Sequence, residues 1–500
     1  MNRFLNIIFS MQTMGFLLLV FAASIGTATF IENDFGTEAA KAVVYNTNWF
    51  NILMLLLAIN LVANIFIYKL YKPKKFTIFL FHFSFLVILL GSAITRFVSY
   101  EGMMHIREGS SSSSISSDNT YMDVIITDGN DTVYDSDKTR PTILTPRAYS
   151  SSVSFNDQKY SFKSVKYVPN AQEIITEIDG EGDPYIVIVT SDGRGRQSTY
   201  FKYNTSGPLG PNLLNFGDEM AENAINIKID GDAFLVHSAD TIYTVSMMGG
   251  VNDTLVPDQW HPFELRTLYE INNSTLVPTN FYMNGGIDFA PYDGNDMNFT
   301  DVVVIEATSG NETKRLGLRG GKGFEGVANT VQFDDVSVQL RYGSKRISLP
   351  FEVKLLDFQL ERYPGSNSPS SYASEVVLID KSEGLEMPYR IYMNHVLNYG
   401  GYRFFQSSYD KDELGTILSV NHDYWGTLFT YIGYFLMTLG MFLTVFNRSS
   451  RFAKLGELMK NKDMSFKGGA ATLLVALFLI TPDLVAQHNH APGEIHPVDK

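Results

Sequence analysis

The chain has 500 residues, more than a single soluble core usually holds, so its length favours several structural units. The formal net charge is −14 and no basic run is interleaved with aromatic residues, which argues against nucleic acid as a partner. The sequence contains no cysteine, which excludes disulfides, thiolate metal sites, thiol nucleophiles and covalent haem attachment through C-x-x-C-H.

Three apolar runs near the N-terminus are long enough to cross a hydrocarbon layer of ~30 Å as helices. They are Met11–Ile31, Trp49–Tyr68 and Phe76–Phe97. We therefore predict a segment of three transmembrane helices over residues 1–97.

Residues 98–424 are too polar to enter lipid and carry short β-branched and aromatic runs separated by turn formers. The clearest runs are Tyr121–Thr127, Tyr185–Thr190, Asp301–Ala307 and Val331–Tyr342. This pattern predicts a large β-rich domain, a sandwich or a barrel-like sheet with little helix. The serine-rich stretch Ser110–Ser117 is interpreted as a flexible entry, with an extended edge strand as the alternative.

A fourth apolar run, Trp425–Phe446, predicts a transmembrane helix over residues 425–447, followed by a basic loop over residues 448–467. A fifth run, Gly468–Val485, is near the lower length limit and is either a short span or a signal-like segment. The predicted fold class is a membrane protein with four to five transmembrane helices and a β-rich extracytoplasmic domain. Residues 468–500 would hold the short fifth span and an outer tail.

Basic residues in the short connections predict the orientation. Four lysines (Lys69, Lys72, Lys74 and Lys75) join the second and third runs, and residues 448–467 are also basic. Both connections are therefore expected in the cytoplasm, together with the N-terminus, whereas residues 98–424 are expected outside.

The informative residue within the apolar runs is His82, which lies roughly 10 Å along its helix from Lys75. An unpartnered imidazole is costly in hydrocarbon, so the candidate roles are haem ligand, proton relay and interhelical hydrogen-bond donor. A simple hydrogen bond to a Ser or a carbonyl on a neighbouring helix is the structural alternative, and the residue alone does not decide. No Ser/His/Asp set or carboxylate pair follows from the spacing of the outer domain, so no catalytic residue is assigned.

Three stretches of the chain resemble the ResB family of cytochrome c biogenesis proteins. The first is Phe81–Ala93 followed by Tyr100–Gly109, the second is Leu349–Leu355 with Glu361–Ser366, and the third is Gly401–Asp410. The resemblance covers about residues 50 to 450, and the order of three spans, outer domain and fourth span is similar to the family plan. The segment Asn421–Gly426 departs from the Asp-Pro-Gly that many members have.

The resemblance implies a protein that works with a CcsA-type membrane partner, or is fused to one as its C-terminal half. Together they would carry haem b across a bacterial inner membrane and deliver it to apocytochrome c, with residues 98–424 in the periplasm. The resemblance assigns His82 as an axial ligand to the haem iron and places the second ligand on the partner half, since no other span here holds a histidine. Alone, the chain would be an incomplete holocytochrome c synthase.

Other residues are weaker candidates. His105 and His422 flank the outer membrane surface in this topology and are candidates for binding haem near its exit, with local hydrogen bonding as the alternative. Glu101, Arg107 and Glu108 resemble a family motif, or form an ion-paired entry strand. The spacing of three C-terminal histidines (His488, His490 and His496) fits loose metal binding or a mobile tail.

Two rival functions stay open at this point. In one, the outer domain is a membrane-anchored binding module without haem chemistry, and replacing His82 leaves function intact. In the other, the chain is a transporter or sensor subunit in which His82 relays protons, which predicts pH-dependent activity without haem absorbance.

Overall fold

The structure, a computed structural model, describes residues 9–178, 182–191, 196–231, 233–246, 253–272, 274–292 and 300–447. The described chain divides into two compact units. The helical unit contains residues up to Val20, Ile52–Val98 and the chain from Asp423 onward. The strand unit contains Phe21–Asn51 and Ser99–His422.

In the part of the chain that the structure describes, four helices are long and apolar enough to span a membrane. They are α1 Met11–Phe35, α2 Asn48–Ile67, α3 Phe76–Phe97 and α4 Tyr424–Phe446. A short 3₁₀ turn, Pro73–Lys75, leads into α3, and a single helical turn with a π-helical segment, Thr37–Ala40 and Lys41–Tyr45, follows α1. The predicted fifth span, Gly468–Val485, lies outside the described residues.

Helices α3 and α4 pack antiparallel along a seam of glycines that recur every seven residues. Gly426, Gly433 and Gly440 are the buried residues of α4. A Cβ atom at Gly433 would lie 2.5 Å from the Ile88 side chain, and one at Gly440 would lie 2.7 Å from the backbone nitrogen of Phe81. Because glycine has no side chain, the two helix backbones approach closely, as they do at membrane helix interfaces that contain small residues.

Apart from its helical part, Phe21–Asn51, the strand unit consists mainly of β structure, with 26 strands among its described residues. They are β1 Tyr100–Arg107, β2 Ser111–Thr127, β3 Thr132–Lys138, β4 Ser150–Phe155, β5 Gln158–Val168, β6 Ala171–Glu177, β7 Asp183–Ser191, β8 Arg196–Lys202, β9 Thr205–Leu209, β10 Asn212–Phe216, β11 Ala224–Asp230, β12 Ala233–His237, β13 Ile242–Ser246, β14 Asp253–Leu255, β15 His261–Pro262, β16 Thr267–Ile271, β17 Ser274–Pro291, β18 Asp301–Ser309, β19 Glu312–Gly320, β20 Asn329–Phe333, β21 Val336–Arg362, β22 Pro369–Asp380, β23 Leu385–Tyr392, β24 Leu397–Tyr399, β25 Tyr402–Tyr409 and β26 Gly415–His422.

These strands form four sheets around three main hydrophobic cores. The largest sheet has ten strands in the order β23-β22-β21-β2-β1-β26-β25-β24, with β20 beside β21 and β3 beside β2. Its long strands β2 and β21 each contribute to two cores, because Ile115 and Leu355 lie in the first and Val124 and Leu340 in the second. The second core is completed by the sheet β19-β18-β5-β4, and the third lies within the remaining two sheets.

The two ends of the strand unit are joined by one antiparallel ladder. Strand β1 pairs with β26 from Tyr100↔His422 through Arg107↔Gly415. The chain that leaves α3 therefore enters β1, and its neighbouring strand β26 leads directly into α4. This pairing connects residues more than 300 positions apart in sequence.

The residues of the third core belong to one continuous stretch of chain, and the two ends of this stretch lie side by side. The backbone nitrogen of Ala171 donates to the carbonyl oxygen of Thr300 at 2.9 Å. Strands β5 and β18, which precede and follow this excursion, are paired, with Val168 opposite Val302. The intervening residues 171–300, here called the inserted lobe, contain the sheets β15-β12-β11-β10-β9 and β14-β13-β16-β17-β7-β8.

The predicted fold class is confirmed in the described residues, since four apolar helices accompany a large β-rich domain. The predicted strand runs also fall on strands, although Val331–Tyr342 spans the turn between β20 and β21. The interpretation of Ser110–Ser117 as a flexible entry or an edge was wrong. Ser111–Ser117 belongs to β2, which lies between β21 and β1 in the sheet. Its residues from Ser111 to Ser116 pair with β21, and Ser116 and Ser117 also pair with β1.

Candidate functional site

His82 lies in α3 and is partly buried. Its Nδ1 atom is 2.8 Å from the carbonyl oxygen of Ile78, one turn earlier in the same helix. A carbonyl only accepts, so Nδ1 carries the proton in this hydrogen bond and Nε2 keeps its lone pair. Within the described residues Nε2 makes no hydrogen bond. This is the tautomer that an imidazole needs in order to bind a metal through Nε2.

The imidazole of His82 lies on a face of α3 that does not pack against α4. The residues of α3 that approach the glycines of α4 include Phe81, Ile88 and Thr95, spaced by seven. At about 100° per residue, His82 is roughly 120° around the helix from Ile88, the centre of that stripe. A group that meets Nε2 must therefore come from an element other than α4.

An apolar groove of about 340 Å³ opens between α3 and α4 near this histidine. Its walls are Ile78 and Phe81 of α3 and Met441, Thr444 and Val445 of α4. The lining is almost wholly apolar, so the groove suits hydrocarbon or the edge of an aromatic macrocycle rather than a charged group.

Sequence reasoning missed a second polar position in the membrane helices. Asn60 and Asn64 of α2 are 2% and 6% exposed. The Asn64 amide nitrogen donates to the Asn60 carbonyl oxygen at 2.8 Å and approaches its Oδ1 at 2.6 Å. The rule that singles out polar residues in apolar runs would have found both.

His105 in β1 is tied into an ion-pair network on the strand unit. Its Nε2 is 2.9 Å from Oδ2 of Asp410, which also accepts from Arg107 at 2.7 Å. Burial alone would raise the pKa of Asp410, but the hydrogen bonds from His105 and Arg107 outweigh it and lower that pKa. Hydrogen bonds from Arg107 also lower the pKa of Asp412 to about 2. The local explanation therefore accounts for His105 and Arg107.

His422 at the end of β26 has different surroundings. Its ring stacks on Tyr100 with a centroid distance of 4.8 Å and an interplanar angle of 19°. Tyr402 packs against the same ring at 4.4 Å, and the two tyrosine hydroxyls hydrogen-bond to each other at 2.7 Å. Neither tyrosine was singled out from the sequence.

The remaining predicted residues have local roles or fall outside the description. Glu101 accepts a hydrogen bond from Asn421, and Glu108 accepts one from the backbone nitrogen of Phe358 at 2.7 Å. His488, His490 and His496 lie outside the described residues. In the part of the chain that the structure describes, no group of three or more His, Asp or Glu side chains is arranged to hold a metal ion.

Two comparisons with known proteins bear on these sites. Residues 73–171 and 316–423 match the model of the ResB-like family. The chain is 30% identical over 484 residues to Protein NrfI of Wolinella succinogenes, in an alignment that covers 96% of this chain and 39% of that protein. The chain thus spans about two fifths of the length of this curated relative. His82, His105 and His422 all lie within the segments that the family model matches.

Proposed function

Because the chain belongs to the ResB-like family, we propose that it acts in cytochrome c biogenesis by binding haem in the membrane and passing it outward. The cargo is haem b and the acceptor is an exported apocytochrome c. A CcsA-type membrane protein or fused half completes the machine and forms the covalent bonds. In this proposal the chain supplies haem binding, and the partner half supplies bond formation.

The observation that carries this proposal is the hydrogen bond from His82 Nδ1 to the Ile78 carbonyl. It fixes the ring against its own helix and leaves Nε2 as the ligating atom. Axial imidazole holds haem iron and contributes to its reduction potential, so a ligated iron is protected during transfer. A histidine that served only to join two helices would instead bond across to a neighbouring helix.

The position of His82 also supports a shared site. Its side chain lies on the face of α3 turned away from α4, and α4 is the helix that packs along α3. A second axial ligand would then come from the partner half, opposite His82.

The contacts of the loop between α1 and α2 support the proposed orientation. Glu38 of this loop lies 3.9 Å from Lys322 of the strand unit and 2.9 Å from Lys41. The loop and the β domain are thus on one side, as the distribution of lysines requires for a periplasmic domain. We accordingly propose a bacterial inner-membrane location with the N-terminus in the cytoplasm.

The test is an absorption spectrum of the detergent-purified chain, co-expressed with its CcsA-type partner, as wild type and as His82→Ala. We expect a Soret band and reduced α and β bands in the wild type and a loss of most of this absorbance in the variant. Imidazole added to the variant should restore part of it, because a small imidazole can occupy the space of the missing ligand.

The matched control is His105→Ala, which removes a histidine that is already paired with Asp410. It should retain the haem bands. Equal haem in wild type and His82→Ala would overturn the assignment. Haem-free wild type with intact function would favour the anchored binding module, and pH-dependent activity without haem would favour the proton relay.

A further inference from the structure

A second histidine of this chain has the environment of an iron ligand. We infer that His422, held by Tyr100 and Tyr402, forms an outer haem-binding site with Nε2 as the ligand. This inference rests on the proposed function, because haem is the cargo that would supply the iron. It assigns to the strand unit a binding step of its own in addition to docking.

The tyrosines hold the His422 ring in a fixed orientation. Tyr100 stacks on it nearly parallel, and Tyr402 packs at an angle of 50° while bonding the Tyr100 hydroxyl. Tyr402 is itself anchored against the buried Phe351, at a centroid distance of 5.5 Å. Stacking of this kind orients a ring without using its nitrogen atoms.

Among the described residues, no protein group engages the ring nitrogen atoms of His422. Within the described residues they make no hydrogen bond, whereas other outer histidines each have a ring nitrogen near an acceptor. These are His105 with Asp410, His261 with the Val256 carbonyl and His395 with the Arg390 carbonyl. His237 differs again, because its unbonded Nδ1 is fully buried and out of reach of a ligand.

A glycine keeps the approach to His422 Nε2 open. Gly401 is exposed, and a Cβ atom on it would lie 3.2 Å from Nε2 and 3.6 Å from Cδ2. Gly400 and Gly401 form the two-residue turn between β24 and β25, with φ of +58° and +84°. The turn alone favours glycine at both positions, but only position 401 faces the imidazole.

The hydroxyl of Tyr100 is unsuited to compete for the iron. Burial, together with the hydrogen bond to Tyr402, raises the pKa of Tyr100 well above its usual range. The group therefore stays a neutral phenol, while tyrosine binds haem iron as a phenolate. The imidazole is the ligating group of this cluster.

The location in the chain fits a step that follows the membrane site. Tyr100 comes three residues after the end of α3, the helix that carries His82, and His422 comes two residues before α4 begins. His82 and Phe97 are ~22 Å apart along α3 at 1.5 Å per residue. Through its pairing with Tyr100, the second imidazole thus lies beside the strand residues that follow α3 in the chain.

The experiment is a titration of the detergent-purified full chain with hemin, followed by difference absorbance. The wild type should bind two saturable equivalents, and His422→Phe, which keeps an aromatic ring between the tyrosines, should bind one. His82→Ala should also bind one equivalent, and the double variant should bind none. His395→Phe, at another histidine that stacks between two tyrosines but has Nδ1 bonded, should keep both.

The two turn glycines provide a second, independent arm. Gly401→Ala should lose the outer equivalent with the imidazole still present, whereas Gly400→Ala carries similar backbone strain and should keep it. Two equivalents in His422→Phe, or equal binding by the two glycine variants, would overturn the outer site. Failure of the membrane site would look different, since His82→Ala would then equal the wild type while His422→Phe still lost one equivalent.

Discussion

Asp123 shows how the strand unit accommodates a buried charge. Its side chain is 6% exposed and lies 2.6 Å from Arg341. Burial would raise the pKa of Asp123, but hydrogen bonds from Ser136, Arg341 and Tyr134 outweigh it and lower the pKa below the usual range. The carboxylate is thus ionised in the folded state and depends on its donors.

Replacing Arg341 by Met should destabilise the protein by about 1–3 kcal/mol, because a buried carboxylate loses a charged donor. Urea unfolding in detergent, followed by circular dichroism, measures this change in the free energy of unfolding. Arg346→Met is the control, since Arg346 is 66% exposed in its pair with Glu325 and should cost little. A carboxylate with a lowered pKa stabilises the fold above its unfolded pKa, so the difference between wild type and Arg341→Met should shrink below pH about 4.

At the residue scale, the sequence indicates His82 because a polar group in an apolar run is rare. Asn60 and Asn64 stand out for the same reason, although they were not among the predicted residues. The cluster around His422 could not be predicted in this way. Tyr100 and Tyr402 are unremarkable in sequence, and they meet only because β1, β25 and β26 lie side by side. Contacts of this kind depend on pairing, which local patterns do not contain.

At the scale of elements, the glycine seam between α3 and α4 makes a sharp prediction. Gly440→Ala places a Cβ atom against the Phe81 backbone and should push the helices apart. Gly26→Ala in α1 meets nothing within 4 Å and is the control, which should be neutral or slightly favourable to its helix.

Because the sequence contains no cysteine, the spacing of α3 and α4 can be measured by cross-linking introduced cysteines. Thr77 and Asn447 are hydrogen-bonded at 3.1 Å across the same helix pair, so Thr77→Cys with Asn447→Cys should oxidise readily. The yield should fall strongly when Gly440→Ala is added and stay unchanged with Gly26→Ala. An unchanged yield in Gly440→Ala would mean that the seam does not set the helix spacing.

The four helices were predictable because a membrane demands long apolar runs, and most strands because β-branched residues recur between turns. The course of β2 could not be predicted, because its serines show no apolar alternation and its partner β21 is distant in sequence. The spacing of Gly426, Gly433 and Gly440 was visible in the sequence and, read as a heptad, indicates the seam.

At the scale of the whole molecule, charge is unevenly distributed. Residues 98–424 hold 45 of the 53 acidic residues but only 25 of the 39 basic ones. A domain with this balance attracts basic partners at long range, an effect that salt screens. We therefore expect association with a basic apocytochrome c to slow as ionic strength rises, measured by stopped-flow mixing, whereas an unchanged rate would exclude steering by the domain as a whole.

The inserted lobe should be separable from the rest of the strand unit. It has its own core, which includes Ile186, Phe216 and Ile227, and its ends meet between β5 and β18. Replacing residues 169–301 by Asn-Gly places this dipeptide directly between the paired residues Val168 and Val302 and should turn β5 and β18 into a hairpin, because it favours a two-residue turn. The first two cores would remain, although loss of Phe289 exposes Val302 and Val304 and should lower stability somewhat. We expect the shortened chain to enter detergent as a monodisperse protein and to keep the Thr77→Cys/Asn447→Cys cross-link. Aggregation of this chain, with the wild type soluble under the same conditions, would show that the lobe is needed to fold the domain that carries it.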